Sequence, residues 1–463
     1  MPYDLATGAS TRPLRLAYAA DYEERGPAGG GVVATEDLEN HGYALLELDE
    51  ALEQALLDQS TDQPSSSSSP STTLVIRGQP RDEAVLCTSS STFALRRVEW
   101  SNALLVVDAG SAADAAEDEV QPGTSATIQA TLAHLLEARP IKANTTRLPE
   151  LMAQAKAVWD GVSPLTKVSA CTLDELRAQV QASDYELVEG LVHYDIVQLE
   201  DGGYRQITSE HLCHVLASIF TACAAEDIRL DDRAPVTLRQ CFAFMGLAPS
   251  TRQGGSCSSD DADLLSPMVV RHCFRKFATT CDADGASGDA AMHVDEAAYE
   301  DRPHVFVESS VCRYIGQEVL RQHKSIHYEQ HAFMEAWSAS VPEGYTVSLD
   351  MLEGICIPNE TDDAAGSGAA PKTLLYLPID ELPRDPAARM RMLFDMRAKW
   401  SAEELRVYLA DIAITPAQID MWLMKYARRV TATGAMARHG KRKAHGQPST
   451  EQVWYCARII GAT

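Results

Sequence analysis

The fold of the chain is indicated most clearly by residues 172–207, TLDELRAQVQASDYELVEGLVHYDIVQLEDGGYRQI. Thr172 is followed three residues later by Glu175, and Ser183 is followed in the same way by Glu186. Two such capping boxes, each before an apolar helical pattern, predict two short helices. The stretch ends in two β-favouring runs around an Asp-Gly pair, which is a strong hairpin signal. Helix, short turn, helix and hairpin is the order of a winged-helix domain.

The same order recurs towards the C-terminal end of the sequence. Ser401 and Glu404 form another capping box, and Thr415-Pro416 starts a second helix with proline in its first turn. A basic loop and a β-favouring run at 452–457 complete this unit. The intervening residues 233–382 are mainly helical and irregular, and we expect one or two further units of the same kind there.

The N-terminal region has a different pattern. Short, apolar, β-favouring runs predict strands at residues 43–48, 73–77, 84–87, 93–98 and 103–107. Several short strands close together indicate a small barrel or part of one. An acidic, alanine-rich linker at 108–123 follows, and from about residue 130 the pattern changes to helices.

These patterns predict an α+β protein in five parts. The parts are a β-barrel portion at 1–125, a helical linker at 126–165, and winged-helix units at 166–232, 233–382 and 383–463. The array therefore has about three winged helices, the last of which is basic.

Charge is distributed unevenly along the chain. The net charge is −26, yet residues 421–463 contain eight lysines and arginines against one glutamate, a net +7, so the preceding 420 residues carry −33. Because an acidic surface repels phosphate, DNA contact is expected only in the basic segment. The predicted DNA-binding residues are Lys425, Arg428 and Arg429 on the second helix and Arg438, Lys441, Arg442 and Lys443 on the wing. The alternative for Lys441-Arg442-Lys443 is a nuclear import signal.

Several segments together resemble one known family. They are LVIRG at 74–78, EAVLC at 83–87, SNALL at 101–105, QVQAS at 179–183, SVPEG at 340–344 and RMRMLFDMRAKW at 389–400. In this order and spacing they resemble the sister chromatid cohesion subunit of the alternative replication factor C clamp loader. No single segment is catalytic.

The resemblance implies partners and a process. It implies a barrel completed by the C-terminal tail of the loader's large ATPase subunit and by a small third subunit. The expected contact residues on this chain are Leu74, Val75, Ile76, Leu104 and Leu105. It also implies a nuclear protein that couples the loader to DNA polymerase epsilon and to single- and double-stranded DNA. The sliding clamp would be an indirect partner, and the process would be clamp loading, DNA replication and cohesion.

We expect no enzyme activity, no cofactor and no metal. Gly434–Lys441 resembles a P-loop but has five residues between its glycines and Arg442 where serine or threonine is needed. His323, His327 and His331 could bind zinc on one continuous helix, but Ser325–Tyr328 looks like a junction between helices. The acidic loop at 282–293 lacks the glycine and glutamate of a calcium loop. An isolated hydrolase, a third possible class, would need a compact cluster of titratable groups.

The main alternative function is a winged-helix transcription regulator. The second helix of the first unit argues against it, because Asp184, Glu186 and Glu189 are not offset by any lysine or arginine. Two features of the stretch at 389–400 stay open. Its four basic residues form either a solvated face or a DNA-facing one, and its apolar residues Leu393, Phe394, Met396 and Trp400 form either core or a partner site. No apolar run approaches the roughly 18 residues of a membrane span, so no membrane partner is expected.

Overall fold

The computed structural model describes residues 15–18, 44–61, 74–80, 82–108, 125–230, 234–247, 265–281, 296–323, 327–359, 372–431 and 453–458. The chain divides into two compact bodies. The N-terminal body comprises residues 1–88 and 92–140, and the C-terminal body comprises residues 89–91 and 141–463. Helices and small sheets occur together, so the predicted α+β class is confirmed.

The N-terminal body is built on one sheet. Its described elements are β1 (Arg15–Tyr18), β2 (Leu46–Glu47), α1 (Glu50–Thr61), β3 (Val75–Arg77), β4 (Val85–Cys87), β5 (Thr92–Asp108) and β6 (Ser125–Ile141). The strand order is β1-β6-β5-β4-β3, and β2 also pairs with β6. β3 and β4 are antiparallel to their neighbours, whereas β1 and β2 run parallel to β6. The described strands form an open path and not a closed barrel.

β6 corrects the prediction of a helical linker at 126–165. Residues 125–141 form a strand of 17 residues, and helix begins only at Arg147. The composition of this stretch favours a helix, but intrinsic propensity is a weak preference that long-range contacts override. Here β1, β2 and β5 provide the backbone partners, and Ala138 packs in the small core with Leu52, Leu86 and Phe93.

The described part of the C-terminal body contains four three-stranded sheets in succession, and we call each sheet with its helices a module. Module 1 consists of α2 (Arg147–Ala155), β7 (Val158–Trp159), α3 (Leu173–Gln179), α4 (Asp184–His193), β8 (Ile196–Gln198) and β9 (Tyr204–Ile207). Module 2 consists of α5 (Ser209–Ala225), β10 (Val236–Thr237), α6 (Leu238–Phe244), α7 (Pro267–Phe277), β11 (Ala278–Thr280), α8 (Glu296–Asp301) and β12 (Pro303–Phe306).

The remaining two modules follow directly. Module 3 consists of α9 (Glu308–Arg321), β13 (Tyr328–Glu329), α10 (Gln330–Ser340), β14 (Cys356–Asn359) and β15 (Thr373–Tyr376). Module 4 consists of α11 (Pro386–Met396), β16 (Trp400–Ser401), α12 (Ala402–Val407), α13 (Pro416–Tyr426), β17 (Ala427–Thr431) and β18 (Val453–Ala457). Short 3₁₀ turns lie at Leu165–Lys167, Leu349–Leu352 and Ile379–Glu381.

The four sheets share one strand order. The orders are β7-β9-β8, β10-β12-β11, β13-β15-β14 and β16-β18-β17, so the last strand of each module lies between the other two. The first strand pairs antiparallel with the last in modules 2 to 4 and parallel in module 1. The sequence predicted about three such units. The described residues contain four three-stranded sheets, two of them within residues 233–382, where one or two units were expected.

Local signals in the sequence were reliable. The three predicted capping boxes are present, at Thr172, Ser183 and Ser401. In each, the cap side chain accepts from the backbone N–H three residues on, and the glutamate at that position accepts from the backbone N–H of the cap residue. Gly202, in the predicted hairpin turn, has φ +82°, a conformation that glycine adopts without steric cost. Thr415 caps α13, and Pro416 stands in its first turn.

The apolar core of the C-terminal body has three parts. One continuous cluster extends from Trp159 through modules 2 and 3 to Tyr376. The helices of module 1 enclose a smaller cluster. A third cluster is centred on Leu393, Trp400 and Leu423 of module 4 and also takes in Ile357 of module 3. Modules 1 to 3 are therefore joined through shared apolar packing.

Candidate interaction surfaces

The edge of the N-terminal sheet exposes apolar side chains. β3 ends the strand path, and among the described strands only β4 pairs with it. Ile76 is 61% exposed, and Leu74 and Val75 are also exposed. On β5, Leu105 is exposed and Leu104 is half-buried. An exposed apolar edge strand is a template for an added strand. Val75 and Ile76 lie on this edge strand and Leu74 lies beside it, whereas Leu104 and Leu105 lie on β5, which is inside the strand path.

The basic residues of module 4 lie on two elements instead of one helix. Lys425 is exposed in the last turn of α13. Arg428 and Arg429 were predicted on the same helix, but they are exposed on β17. The helix ends at Tyr426 because Ala427 adopts an extended conformation and residues 427–431 pair with β18. The predicted wing residues Arg438, Lys441, Arg442 and Lys443 lie outside the described residues, as does the P-loop-like segment.

The four basic residues at 389–400 divide between core and surface. Arg389 is 1% exposed and therefore belongs to neither a solvated face nor a DNA-facing one. Arg397 lies beyond the end of α11, 4.0 Å from the ring of Trp400, and forms an ion pair with Glu404. Arg391 and Lys399 are exposed.

The apolar residues of that stretch are mostly core. Leu393 and Trp400 are fully buried, and Phe394 is half-buried against the same cluster. Met396 is exposed, so the predicted core stripe is confirmed except for this residue.

Arg389 organises the core of module 4. Its guanidinium donates to the carbonyls of Pro383 at 2.7 Å and Tyr408 at 2.8 Å, and to the carboxylate of Asp411 at 2.5 Å. A longer bond of 3.4 Å reaches the carbonyl of Leu382. The planar fork of arginine is suited to several acceptors at once, so this one side chain joins α11, the segment before it and the end of α12.

A buried carboxylate joins modules 1, 2 and 3. Asp195 stands between α4 and β8 with φ +57°, a conformation that aspartate tolerates better than most residues. One of its oxygens accepts from Lys276 at 2.5 Å and lies 3.0 Å from His272 Nε2, both on α7. The other oxygen accepts from the hydroxyl of Tyr314 on α9 at 2.9 Å. Sequence reasoning missed this cluster, because its members are up to 119 residues apart.

The cluster has a defined protonation pattern. Burial alone would raise the pKa of Asp195, but Lys276 and His272 hold it below its ordinary value. Burial lowers the pKa of His272 despite the nearby carboxylate. Asp195 is therefore ionised beside a neutral imidazole and a phenol, and both of its oxygens are engaged. The contacts of Asp195 reach α7 and α9, so the cluster ties the three modules together.

One cavity in the described part of the chain does not resemble a hydrolase site. It has a volume of about 820 Å³ and lies between α5, α9 and the residues after α10. Its lining is largely apolar, and burial raises the pKa of Cys213 to about 12, so this thiol is not a nucleophile at neutral pH. Glu318 in its wall is paired with Arg321 at 2.8 Å.

The three histidines do not form a metal site. α9 ends at Arg321 and α10 begins at Gln330, so the predicted junction is confirmed and the histidines do not share a helix. His323 stacks on Tyr328 with ring centres 4.2 Å apart, and His331 lies 3.7 Å from Glu335. Among the described residues no group of side chains could hold a metal ion. Within the same residues, no helix combines the length and hydropathy needed to span a bilayer.

Comparison with known proteins decides the family. The family model described as sister chromatid cohesion protein Dcc1 matches residues 43–409, which is most of the chain. The chain belongs to the Dcc1 family. The predicted resemblance is therefore confirmed, and with it the connection to sister chromatid cohesion.

Two vertebrate Dcc1 proteins are similar to this chain over about nine-tenths of their length. The sister chromatid cohesion protein DCC1 of Xenopus tropicalis is 24% identical over 411 residues, covering 88% of this chain and 91% of that protein. The mouse protein of the same name is 24% identical over 427 residues, covering 90% of each. A probable DCC1 of Dictyostelium discoideum is 20% identical over 365 residues. Lys425, Arg428 and Arg429 lie beyond the residues that the family model matches.

Proposed function

We propose that this chain is a non-catalytic subunit of an alternative clamp loader that acts in the nucleus in sliding-clamp loading, DNA replication and sister chromatid cohesion. The observation that carries the proposal is the open N-terminal sheet with its exposed apolar edge. Such an edge is costly for an isolated protein and is suited to partners that complete the sheet. The proposed partners are the C-terminal tail of the large ATPase subunit and the small third subunit.

The modules of the C-terminal body support a winged-helix interpretation. In module 4 the order is helix, strand, two helices and two strands, with the last strand at the centre of the sheet. This is the order expected of a winged helix. We propose that the four modules form an array of winged helices that couples the loader to DNA and to DNA polymerase epsilon.

Charging the sheet edge should prevent partner assembly. We expect Val75→Lys with Ile76→Lys to weaken binding of a purified complex of the large-subunit tail and the small subunit about 100-fold or more. Each apolar side chain contributes about 1.5–3 kcal/mol when fully buried, and lysine on an edge opposes strand addition. Isothermal titration calorimetry with the full chain measures the effect.

The matched control is Val158→Lys with Val162→Lys. These two valines are exposed on the C-terminal body, so the charge change is the same and the sheet edge is untouched. Equal affinity of the edge variant and this control would remove the basis of the proposal.

DNA contact is proposed for the basic edge of module 4. Arg428 and Arg429 are exposed on β17, the outer strand of its sheet. We expect Arg428→Gln with Arg429→Gln to weaken duplex binding and to reduce the slope of log K against log salt by about 0.9 for each lost phosphate contact. Fluorescence anisotropy over a salt series measures the slope. The control Lys156→Gln with Lys167→Gln removes two exposed charges from module 1.

The same titration tests the wing. We expect the simultaneous replacement of Lys441, Arg442 and Lys443 by glutamate to weaken DNA binding and to flatten its salt dependence. Partner assembly should stay intact. An unchanged slope together with lost nuclear import would favour the import signal instead.

The transcription-regulator alternative is less well supported. In a DNA-reading winged helix, the helix before the hairpin enters the major groove. In module 1 that helix is α4, where Asp184 pairs with Arg177 at 3.0 Å and Glu186 is engaged in the capping box. In module 2 it is α7, most of whose residues are buried. Neither helix presents a basic face to DNA.

A further inference from the structure

α13 differs from the corresponding helices of modules 1 and 2 in its exposure. In α4, two of the ten residues are exposed, and in α7 one of the eleven is exposed. In α13, by contrast, five of the eleven residues are exposed. The exposed set is Pro416, Ala417, Met421, Met424 and Lys425. The helix that precedes the hairpin is thus covered in modules 1 and 2 and uncovered in module 4.

The chain itself shows what covers such a helix. α4 and α7 pack against each other, and α7 also packs against α9 of module 3. Phe277 of α7 meets Tyr314 of α9 with ring centres 5.2 Å apart, and Lys276 lies 4.7 Å from the same ring. In both cases the covering element is a helix with apolar side chains. Module 4 has no following module within the described residues to cover α13.

The exposed face of α13 is apolar. Ala417, Met421 and Met424 follow one another at i, i+4 and i+7, which places them on one side of the helix. Met421 is 51% exposed and Met424 is 71% exposed. Ile414, just before the helix, is exposed, and so is Met396 at the end of α11, a helix that packs against α13. We call Ile414, Ala417, Met421 and Met424 the methionine face.

The charges beside this face are positive. Lys425 is exposed on α13, and Arg428 is exposed two residues after the helix ends. Asp420 is the acidic residue of α13, and Arg406 engages it at 2.7 Å. An acidic partner would therefore meet complementary charge at the rim of the apolar face.

These side chains are poorly suited to base readout. Methionine offers only a weak acceptor, whereas base edges are read by arginine, lysine, asparagine and glutamine. Flexible, polarisable methionines are typical of surfaces that accept apolar residues of a partner helix. We propose that the methionine face binds an amphipathic helix of another protein, with apolar residues spaced i, i+3, i+4 and i+7 and acidic residues beside them. The apolar side chains of this face lie on α13 and before it, not on β17, although Arg428 of β17 stands at the rim of the face.

The test uses the full chain labelled with ¹³C at the methionine methyl groups. The probe is a synthetic helical peptide with leucines at the stated spacing and glutamates elsewhere. Its two controls carry lysine for every glutamate or serine for every leucine. We expect the acidic amphipathic peptide alone to shift the methyl signals of Met421 and Met424, which single Met→Leu variants assign.

The decisive variant is Met421→Ser with Met424→Ser, which removes apolar surface without changing charge. It should weaken peptide binding at least about tenfold, since two apolar side chains that the peptide would cover are lost, and it should leave duplex DNA binding unchanged. Val162→Ser, at another exposed apolar position, should change neither. Absence of peptide binding, or an equal loss of DNA binding in the serine variant, would overturn the proposal.

Discussion

Asp195→Ala is expected to lower the free energy of unfolding of the C-terminal body by about 3–5 kcal/mol. The substitution removes the one acceptor shared by Lys276, His272 and Tyr314 and leaves an ammonium largely buried without its counter-charge. The loss is large because a buried charge whose partner is removed keeps its full desolvation cost. A midpoint lowered by on the order of 10 °C in thermal unfolding would report it.

Two variants separate charge from packing. Asp174→Asn changes a carboxylate that is 93% exposed beside Arg177, so its effect should stay within about 0.5 kcal/mol. Asp195→Ala combined with Lys276→Met should cost less than the sum of the two single changes, since the double variant has no buried unpaired charge. Strict additivity would show that the ion pair is not the source of the effect.

The pH dependence of stability has a definite sign. The pKa of His272 is lowered in the folded protein, so below its ordinary value of 6.5 the unfolded chain binds a proton that the folded chain does not. Stability should therefore fall between about pH 7 and pH 5, by up to about 1.4 kcal/mol per pH unit from this ring. The lowered pKa of Asp195 stabilises the fold above the ordinary value of 3.8, and this contribution is lost as pH falls further. His272→Gln should reduce the slope between pH 7 and 5.

Arg389→Met should destabilise module 4 by about 3–5 kcal/mol. The long apolar stem is kept, but the carbonyls of Pro383 and Tyr408 lose their donor and Asp411 loses its cation. Each buried acceptor left unsatisfied costs about 1–3 kcal/mol. Arg389→Lys should restore little of the lost stability, because one ammonium group cannot reach all the acceptors that the guanidinium contacts with its three nitrogens.

Hydrogen exchange localises this effect. The core of module 4 is a cluster distinct from that of modules 2 and 3, although it takes in Ile357 of module 3, so faster exchange should be concentrated in peptides from residues 377–457. Arg391→Met, an exposed position on the same helix, is the control and should leave exchange unchanged. Faster exchange spread over all four modules would contradict the separation of the cores.

Features set by neighbouring residues were predictable, and those set by distant ones were not. Ser183 and Glu186 lie three residues apart, so the capping box can be read from the sequence alone. Residues 125–141 form a strand because of partners elsewhere in the N-terminal body, and nothing in their own composition reveals it. Arg428 follows a helix without a glycine or proline to mark its end, so pairing with β18 alone places it on a strand.

The candidate sites also differ in whether the sequence alone could predict them. Charge asymmetry indicated module 4 as the basic part, and apolar runs indicated the exposed strand at Val75 and Ile76. Asp195 gave only a faint signal, an acidic residue between a helix and an apolar strand. Its partners are 77 to 119 residues away. No local pattern distinguishes a buried carboxylate of this kind from an ordinary surface turn.

The position of the last strand in each module determines how the protein tolerates shortening. In module 4 the central strand is Val453–Ala457, and both β16 and β17 use it as their partner. The sheet therefore cannot form during synthesis until these residues have left the ribosome. A premature stop codon shortly before residue 453 would not trim a dispensable tail. It would remove the middle of the sheet and leave the rest of module 4 as a target for degradation.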